Sequence, residues 1–245
     1  MSSIQKLKTK LFADGADLKV IAAMSKNPLI QGFTTNPTLM RKSGVTDYKA
    51  FAGEALKIVP NLPISFEVFS DDFAEMEEQA AEIASWGKNV YVKIPVTNTR
   101  GEFSGRLIKQ LASAGVQLNV TALMTVPQVE KVLACLSPKT RSYVSVFAGR
   151  VADTGRDPMP LMAQAVKVLK SNAMAELIWA SPRELLNVFQ ADAIGCHIIT
   201  ATHDILAKLA LVGKDLDTFS LETVKMFYED AAAAKFSIKT ARSVA

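Results

Sequence analysis

Eight short apolar runs recur along the chain at helix-sized intervals: KLFAD (10–14), GFTTN (32–36), PISFEVF (63–69), NVYVKIPV (89–96), VQLNVTALM (116–124), SYVSVF (142–147), AELIWAS (175–181) and CHIITAT (196–202). Within each run apolarity is near-continuous rather than alternating, the pattern of a strand covered on both faces, as in a parallel sheet. The intervals carry a different period. Tyr48, Phe51, Ala52, Ala55, Leu56 and Val59 follow a 3.6-residue repeat, as do Phe73, Met76, Ala80, Ile83 and Ala84, and shorter stripes recur at Val129–Leu136 and Met162–Leu169. Asp157-Pro158 predicts an N-cap with proline in the first turn, and Gly115 a C′ glycine closing the helix before VQLNV.

Eight β-then-α units in tandem, with no linker or shift in composition, predict an α/β fold: one (β/α)8 TIM barrel domain over residues 1–245. An open doubly wound sheet is the alternative. Such a sheet usually carries a glycine-rich turn after its first strand, and ADGAD is not G-x-G-x-x-G. A further helix is predicted at about 219–238, with Leu221, Val224, Phe227 and Ala231 on one side. It reads either as a lid over the barrel bottom or as a subunit contact.

Composition removes several classes. With 49% hydrophobic and 21% charged residues, the 245-residue chain has the apolar content for a substantial core and is not a disordered sequence. Cys135 and Cys196 lie far apart, which fits free thiols in a reducing compartment. The N-terminal lysines precede no sustained apolar segment, and no apolar run is long enough to span a bilayer, so a cytoplasmic protein with no membrane partner is expected. The net charge of +4 is scattered and accompanied by no nucleic-acid motif, which favours small anionic ligands over nucleic acid. His197 and His203 have no third ligand at metal spacing, so no metal and no cofactor are expected. Trp86 and Trp179 are expected in the core.

In such a barrel the functional face lies at the carboxyl ends of the strands. Those ends carry Asp14, Thr34, Thr35, Asn36, Glu67, Lys93, Asn119, Thr121, Ser145, Arg150, Ser181 and Arg183. Polar groups buried in a barrel mouth are costly unless paired, and a coordinated set fits a ligand. Lys93 interrupts the apolar strand VYVKIPV. An amine in apolar surroundings gives up its proton more readily, and a neutral amine attacks carbonyls. The other reading of Lys93 is a core-edge lysine paired with Glu67 or Asp14. Those two carboxylates read equally as helix caps or ion-pair partners, or as a proton donor and acceptor beside the nucleophile. Arg150 and Arg183 follow the sixth and seventh strands, near where barrels bind phosphate; the alternative is solvated surface arginine. Asn36 and Asn119 read as turn formers or caps, or as partners of sugar hydroxyls together with Thr121 and Ser145.

The motifs TTNPT (34–38), VKIPV (92–96), LNVTAL (118–123), SVFAGR (145–150) and ASPRE (180–184) together resemble the transaldolase family of class I aldolases, in family order and over essentially the whole chain. The single-barrel length is most similar to the small bacterial group. The resemblance implies that Lys93 forms a Schiff base with the C2 carbonyl of a ketose phosphate, that Asp14 takes the C4 hydroxyl proton, and that Glu67 with Thr121 handles a water during Schiff-base formation and release. It assigns Thr35, Asn36, Asn119, Ser145, Phe147 and Ser181 to substrate contact, and Arg150 with Arg183 to the distal phosphate. It also implies sugar-phosphate substrates, a role in the pentose phosphate pathway and a homo-oligomer, a pentamer or decamer built partly through the terminal helix. The first strand departs from the family's D-[ST] step, reading ADGAD, but keeps Asp14.

Within that family the fructose-6-phosphate aldolase branch carries Gln in place of Glu67 and Tyr in place of Phe147. A tyrosine hydroxyl there helps protonate and release free dihydroxyacetone, and phenylalanine has no proton to give. Both positions therefore favour transaldolase. The alternatives are an aldolase releasing free dihydroxyacetone, a transaldolase for a sulfonated ketose, which two arginines would grip nearly as well, and a silent sugar-phosphate-binding barrel.

Overall fold

In the computed structural model, which describes residues 3–238, eight parallel strands close into a barrel in sequence order. The strands are β1 (Lys10–Asp14), β2 (Ile30–Thr34), β3 (Ile64–Glu67), β4 (Val90–Pro95), β5 (Leu118–Leu123), β6 (Ser142–Val146), β7 (Ala175–Trp179) and β8 (Ile198–Thr202). The helices between them are α1 (Leu18–Met24), α2 (Pro37–Lys42), α3 (Tyr48–Ile58), α4 (Phe73–Ser85), α5 (Gly105–Ser113), α6 (Val126–Leu133), α7 (Ala148–Ala152), α8 (Met159–Leu169) and α9 (Leu186–Ala193), with α10 (His203–Ala207) after β8. The predicted stripes face inward: Phe51, Ala52 and Ala55 of α3, Met76, Ala80 and Ile83 of α4, Val129 and Val132 of α6, and Met162, Ala165, Val166 and Leu169 of α8 are buried. Gly115 follows α5 at φ +86°, a left-handed closure that glycine adopts without strain.

The strand registers position the site. Four residues of β3 pair with β4, ending at Glu67 opposite Lys93, and β4 sets Lys93 beside Asn119 of β5. By contrast β2 pairs with β3 only through Phe33–Ile64 and Thr34–Ser65, and β7 meets β8 only at Ile178–Ile198 and Trp179–Ile199. The second strand thus begins and ends two residues earlier than its composition predicts. Thr35 and Asn36 leave the sheet because Asn36 serves as N-cap of α2, its side chain accepting the Leu39 N–H at 3.0 Å. Helix α8 likewise begins one residue late, after Pro158, although Asp157 still accepts the Met159 N–H at 2.9 Å.

Trp179 is fully buried, whereas Trp86 is only half-buried at the end of α4, its indole N–H donating to Glu82 at 3.0 Å. The full-core expectation therefore fails for Trp86, which sits at the barrel's outer layer.

The described residues form two compact units, Leu7–Leu209 and a second comprising residues 3–6 with 210–238. The second contains α11 (Leu216–Ala233). This helix starts before the predicted 219 because Asp215 caps it, accepting the Thr218 N–H at 2.8 Å, and it stops at Ala233, short of the predicted 238, where Lys235 adopts φ +56°. None of its residues is buried, and Leu216, Leu221, Val224, Phe227 and Tyr228 are exposed. Among the described residues no helix is long and apolar enough to cross a membrane.

Candidate active site

A cavity of about 420 Å³ opens at the carboxyl ends of the strands and is lined by Asp14, Asn36, Glu67, Lys93, Asn119, Thr121, Ser145, Phe147, Arg150, Ser181 and Arg183, all named from sequence. It also takes in Thr34, likewise named from sequence, and Thr200, which was not. Lys93, only 5% exposed, is held from two sides: Nζ donates to the Thr35 carbonyl at 2.7 Å and lies 3.0 Å from Glu67 Oε2. Both readings of Lys93 thus meet in one geometry, since the lysine is ion-paired to a carboxylate and also points into a ligand-sized cavity.

Thr35 departs from its expected place. Its side chain does not line the cavity; its hydroxyl donates to the Ser65 carbonyl at 2.8 Å, and it is the backbone carbonyl that reaches Lys93. The turn of the chain out of β2 exposes that carbonyl, which a continuing strand would have spent on its neighbour.

Asp14 ends β1 and accepts a 2.7 Å hydrogen bond from Thr34, whose hydroxyl lies 2.5 Å from that of Thr200. Withdrawal from bulk solvent raises the Asp14 carboxyl above its ordinary range, with Glu67 adding to the rise, while Lys93 and the Thr34 hydroxyl oppose it. A carboxylate in this state is a stronger base than one in water. Opposite it, Asn119 is fixed by two partners: its amide donates to Ser65 Oγ at 3.0 Å, and its carbonyl oxygen accepts from Ser145 Oγ at 2.7 Å. Thr121 has a buried hydroxyl with no hydrogen-bond partner among the described residues. Burying an unpaired hydroxyl is unfavourable, and the Trp179 indole N–H is left unpaired in the same way. Ala122, with φ +66° at the irregularity in β5 pairing, marks where the strand kinks beside it.

The cationic side is built by close backbone approach. A Cβ on Gly149 would lie 1.5 Å from the Ser181 carbonyl oxygen, so only glycine lets α7 come this near the loop after β7, where Ser181 itself takes φ +56°. That approach brings Arg150 and Arg183 to one wall. Arg150 lies over the Phe147 ring at 5.6 Å, and the Arg183 guanidinium forms a two-pronged pair with Asp153, with Nε to Oδ1 at 2.8 Å. Both arginines are exposed at the mouth.

A family model described as transaldolase/fructose-6-phosphate aldolase matches residues 11–242. The chain belongs to this family. It is 35% identical over 201 residues to a probable transaldolase of Dehalococcoides mccartyi, covering 82% of this chain and 89% of that one. A probable transaldolase of Streptococcus agalactiae is 33% identical over 214 residues, covering 86% and 95%. Among solved structures, a putative lyase/mutase from Burkholderia cenocepacia superposes with a TM-score of 0.59 at 12% identity, over 97% of this chain and 90% of that one, a likeness of fold alone. The protein is thus a transaldolase-family enzyme of carbohydrate metabolism, and sugar phosphates are the substrate class the family implies.

Three residues that shape the mouth escape a reading based on strand ends. Ser65 and Thr200 lie inside apolar strands, where a lone hydroxyl is an ordinary sight. Tyr48 opens a helix and looked like part of an apolar stripe.

Proposed function

We propose that the enzyme is a transaldolase that moves a dihydroxyacetone unit from fructose 6-phosphate or sedoheptulose 7-phosphate to erythrose 4-phosphate or glyceraldehyde 3-phosphate, in the non-oxidative pentose phosphate pathway. The observation that carries this reading is the buried Lys93 amine facing a sugar-sized cavity with Glu67 at 3.0 Å and Asp14 on the same lining.

Glu67, already paired to Lys93, takes the ammonium proton, and the freed amine adds to the ketose C2. Glu67 returns a proton to the departing hydroxyl, so water leaves and a protonated Schiff base forms. Asp14 then removes the C4 hydroxyl proton. The C3–C4 bond breaks, its electron pair passes into the iminium, and the aldose phosphate leaves. The resulting enamine attacks the aldehyde of the acceptor, Asp14 gives its proton to the new alkoxide, and hydrolysis with the aid of Glu67 and Thr121 frees Lys93. Asn36, Asn119 and Ser145 hold the hydroxyls, Ser181 lines the distal end, and Arg150 with Arg183 hold the phosphate. Phe147 gives the enamine no proton, which favours transfer over release of free dihydroxyacetone.

Borohydride reduction with fructose 6-phosphate, followed by peptide mapping, tests the chemistry: a reduced three- or six-carbon adduct on Lys93 is expected, and its absence overturns the mechanism. An assay without acceptor tests the partition. Little free dihydroxyacetone is expected, and Phe147→Tyr should raise it. The unburied apolar side chains of α11 support assembly of several copies through that helix. Removing the residues after Phe219 should lower the particle mass in sedimentation, and an unchanged mass would refute that assembly.

A further inference from the structure

The edge of β3 facing β2 is left open where the chemistry sits. Ser65 uses its carbonyl on the β2 side, accepting the Thr35 N–H at 3.2 Å, and strand alternation points the N–H and C=O of Glu67, two residues on, the same way. No strand is there, because β2 has already left the sheet after Thr34. Both groups are instead closed by one phenol. The Tyr48 hydroxyl accepts the Glu67 N–H at 2.7 Å and donates to the Glu67 carbonyl at 3.0 Å.

The clamp is placed by local chemistry. Asp47 caps α3, accepting the Ala50 N–H at 2.9 Å, which makes Tyr48 the first residue of the helix and sets it at the level of the strand ends. Its ring is fixed edge-on to Phe66 at 6.1 Å and to Trp86 at 5.6 Å, and tilted against Phe69 at 4.5 Å. Burial beside Glu67 drives the phenol pKa well above the usual tyrosine range, so it stays a neutral hydroxyl able both to donate and to accept.

We infer that Tyr48 is a positioning residue that acts through Glu67, supplying the missing strand's hydrogen bonds and so holding the Glu67 carboxylate at Lys93. The inference rests on the proposed role of Glu67 in proton transfer. It makes the aromatic cluster outside the barrel part of the catalytic support rather than packing alone.

The test is a double-mutant cycle on the full-length protein with fructose 6-phosphate as donor and erythrose 4-phosphate as acceptor. Tyr48→Phe keeps the ring and removes the clamp; kcat is expected to fall about ten- to a hundredfold with KM changed by less than about twofold, since a displacement near 1 Å costs that much. In a Glu67→Ala background the same change is expected to leave kcat unaltered, because the group it positions is gone. An equal loss of kcat in both backgrounds, or a fall in Tm with the parent's kcat and pH profile, overturns the inference. If Glu67→Ala by itself leaves kcat unchanged, the role of Glu67 fails and the inference falls with it, a result distinct from failure of Tyr48→Phe alone. Should Tyr48→Phe not fold, 3,5-difluorotyrosine at position 48 keeps the packing and weakens the acceptor. A smaller fall in kcat with a displaced pH profile is then expected, and parental values overturn the inference.

Discussion

Glu67 and Lys93 face each other in register across β3 and β4, with Oε2 3.0 Å from Nζ, so the carboxylate that would take the lysine's proton is delivered by strand pairing rather than by a loop. Replacing Lys93 with Met keeps the length of the side chain and removes the nucleophile. Activity is expected to fall by at least about a thousandfold, with no borohydride-trapped adduct in mass spectra.

Asp14 offers a test in which activity and stability move apart. Burial raises its carboxyl pKa above the ordinary aspartate range, so the folded state holds its proton to higher pH than the unfolded chain does. As pH climbs past the ordinary carboxylate range the unfolded state loses that proton first and is favoured. Ionised Asp14 is therefore destabilising at neutral pH, and the penalty fades as pH drops below the ordinary value. Asp14→Asn is expected to abolish turnover while raising Tm at pH 7, with the gain shrinking towards acid pH in thermal unfolding. For the parent enzyme, kcat/KM should rise with pH through the elevated Asp14 pKa, not at the usual carboxylate value.

Thr121→Val exchanges an unpaired buried hydroxyl for a methyl of nearly the same size. Stability should be equal or better by about 1 kcal/mol in denaturant unfolding, since no hydrogen bond within the protein is lost. Turnover should drop about tenfold or more if the hydroxyl holds a water during Schiff-base exchange. A variant of unchanged kcat would remove Thr121 from the mechanism.

Gly149→Ala forces a methyl to within 1.5 Å of the Ser181 carbonyl oxygen, so backbone must move. The cost is expected at about 2–4 kcal/mol, read from chemical denaturation. The displaced loop carries Arg183, so KM for phosphorylated donors should rise as well. Asp153→Ala, which leaves the backbone alone and frees the Arg183 guanidinium, should change KM for the phosphorylated donor with little change in kcat, measured by steady-state kinetics.

The architecture was legible because each strand is a near-continuous apolar run and each crossover helix has one apolar stripe, two periods that differ enough to be separated in the sequence. Strand ends were not. Thr35 and Asn36 have the composition of a strand, yet Asn36 is claimed by a helix cap and the Thr35 carbonyl by Lys93, both tertiary events. Eleven of the twelve candidate positions line one cavity, Thr35 being the exception. Tyr48 was hidden for a different reason: its hydroxyl meets Glu67, 19 residues away, only when the neighbouring strand ends early.

The short pairings at β2–β3 and β7–β8 divide the barrel wall into two staves, one of β8, β1 and β2, the other running from β3 to β7. Asp14, Thr34 and Thr200 ride on the first; Glu67, Lys93, Asn119 and Ser145 ride on the second. Asp14 and Lys93 therefore stand on separate staves. The hydrogen bonds that Thr35 makes with Ser65 and with Lys93 thus tie the two staves together at the first seam, beside the cavity.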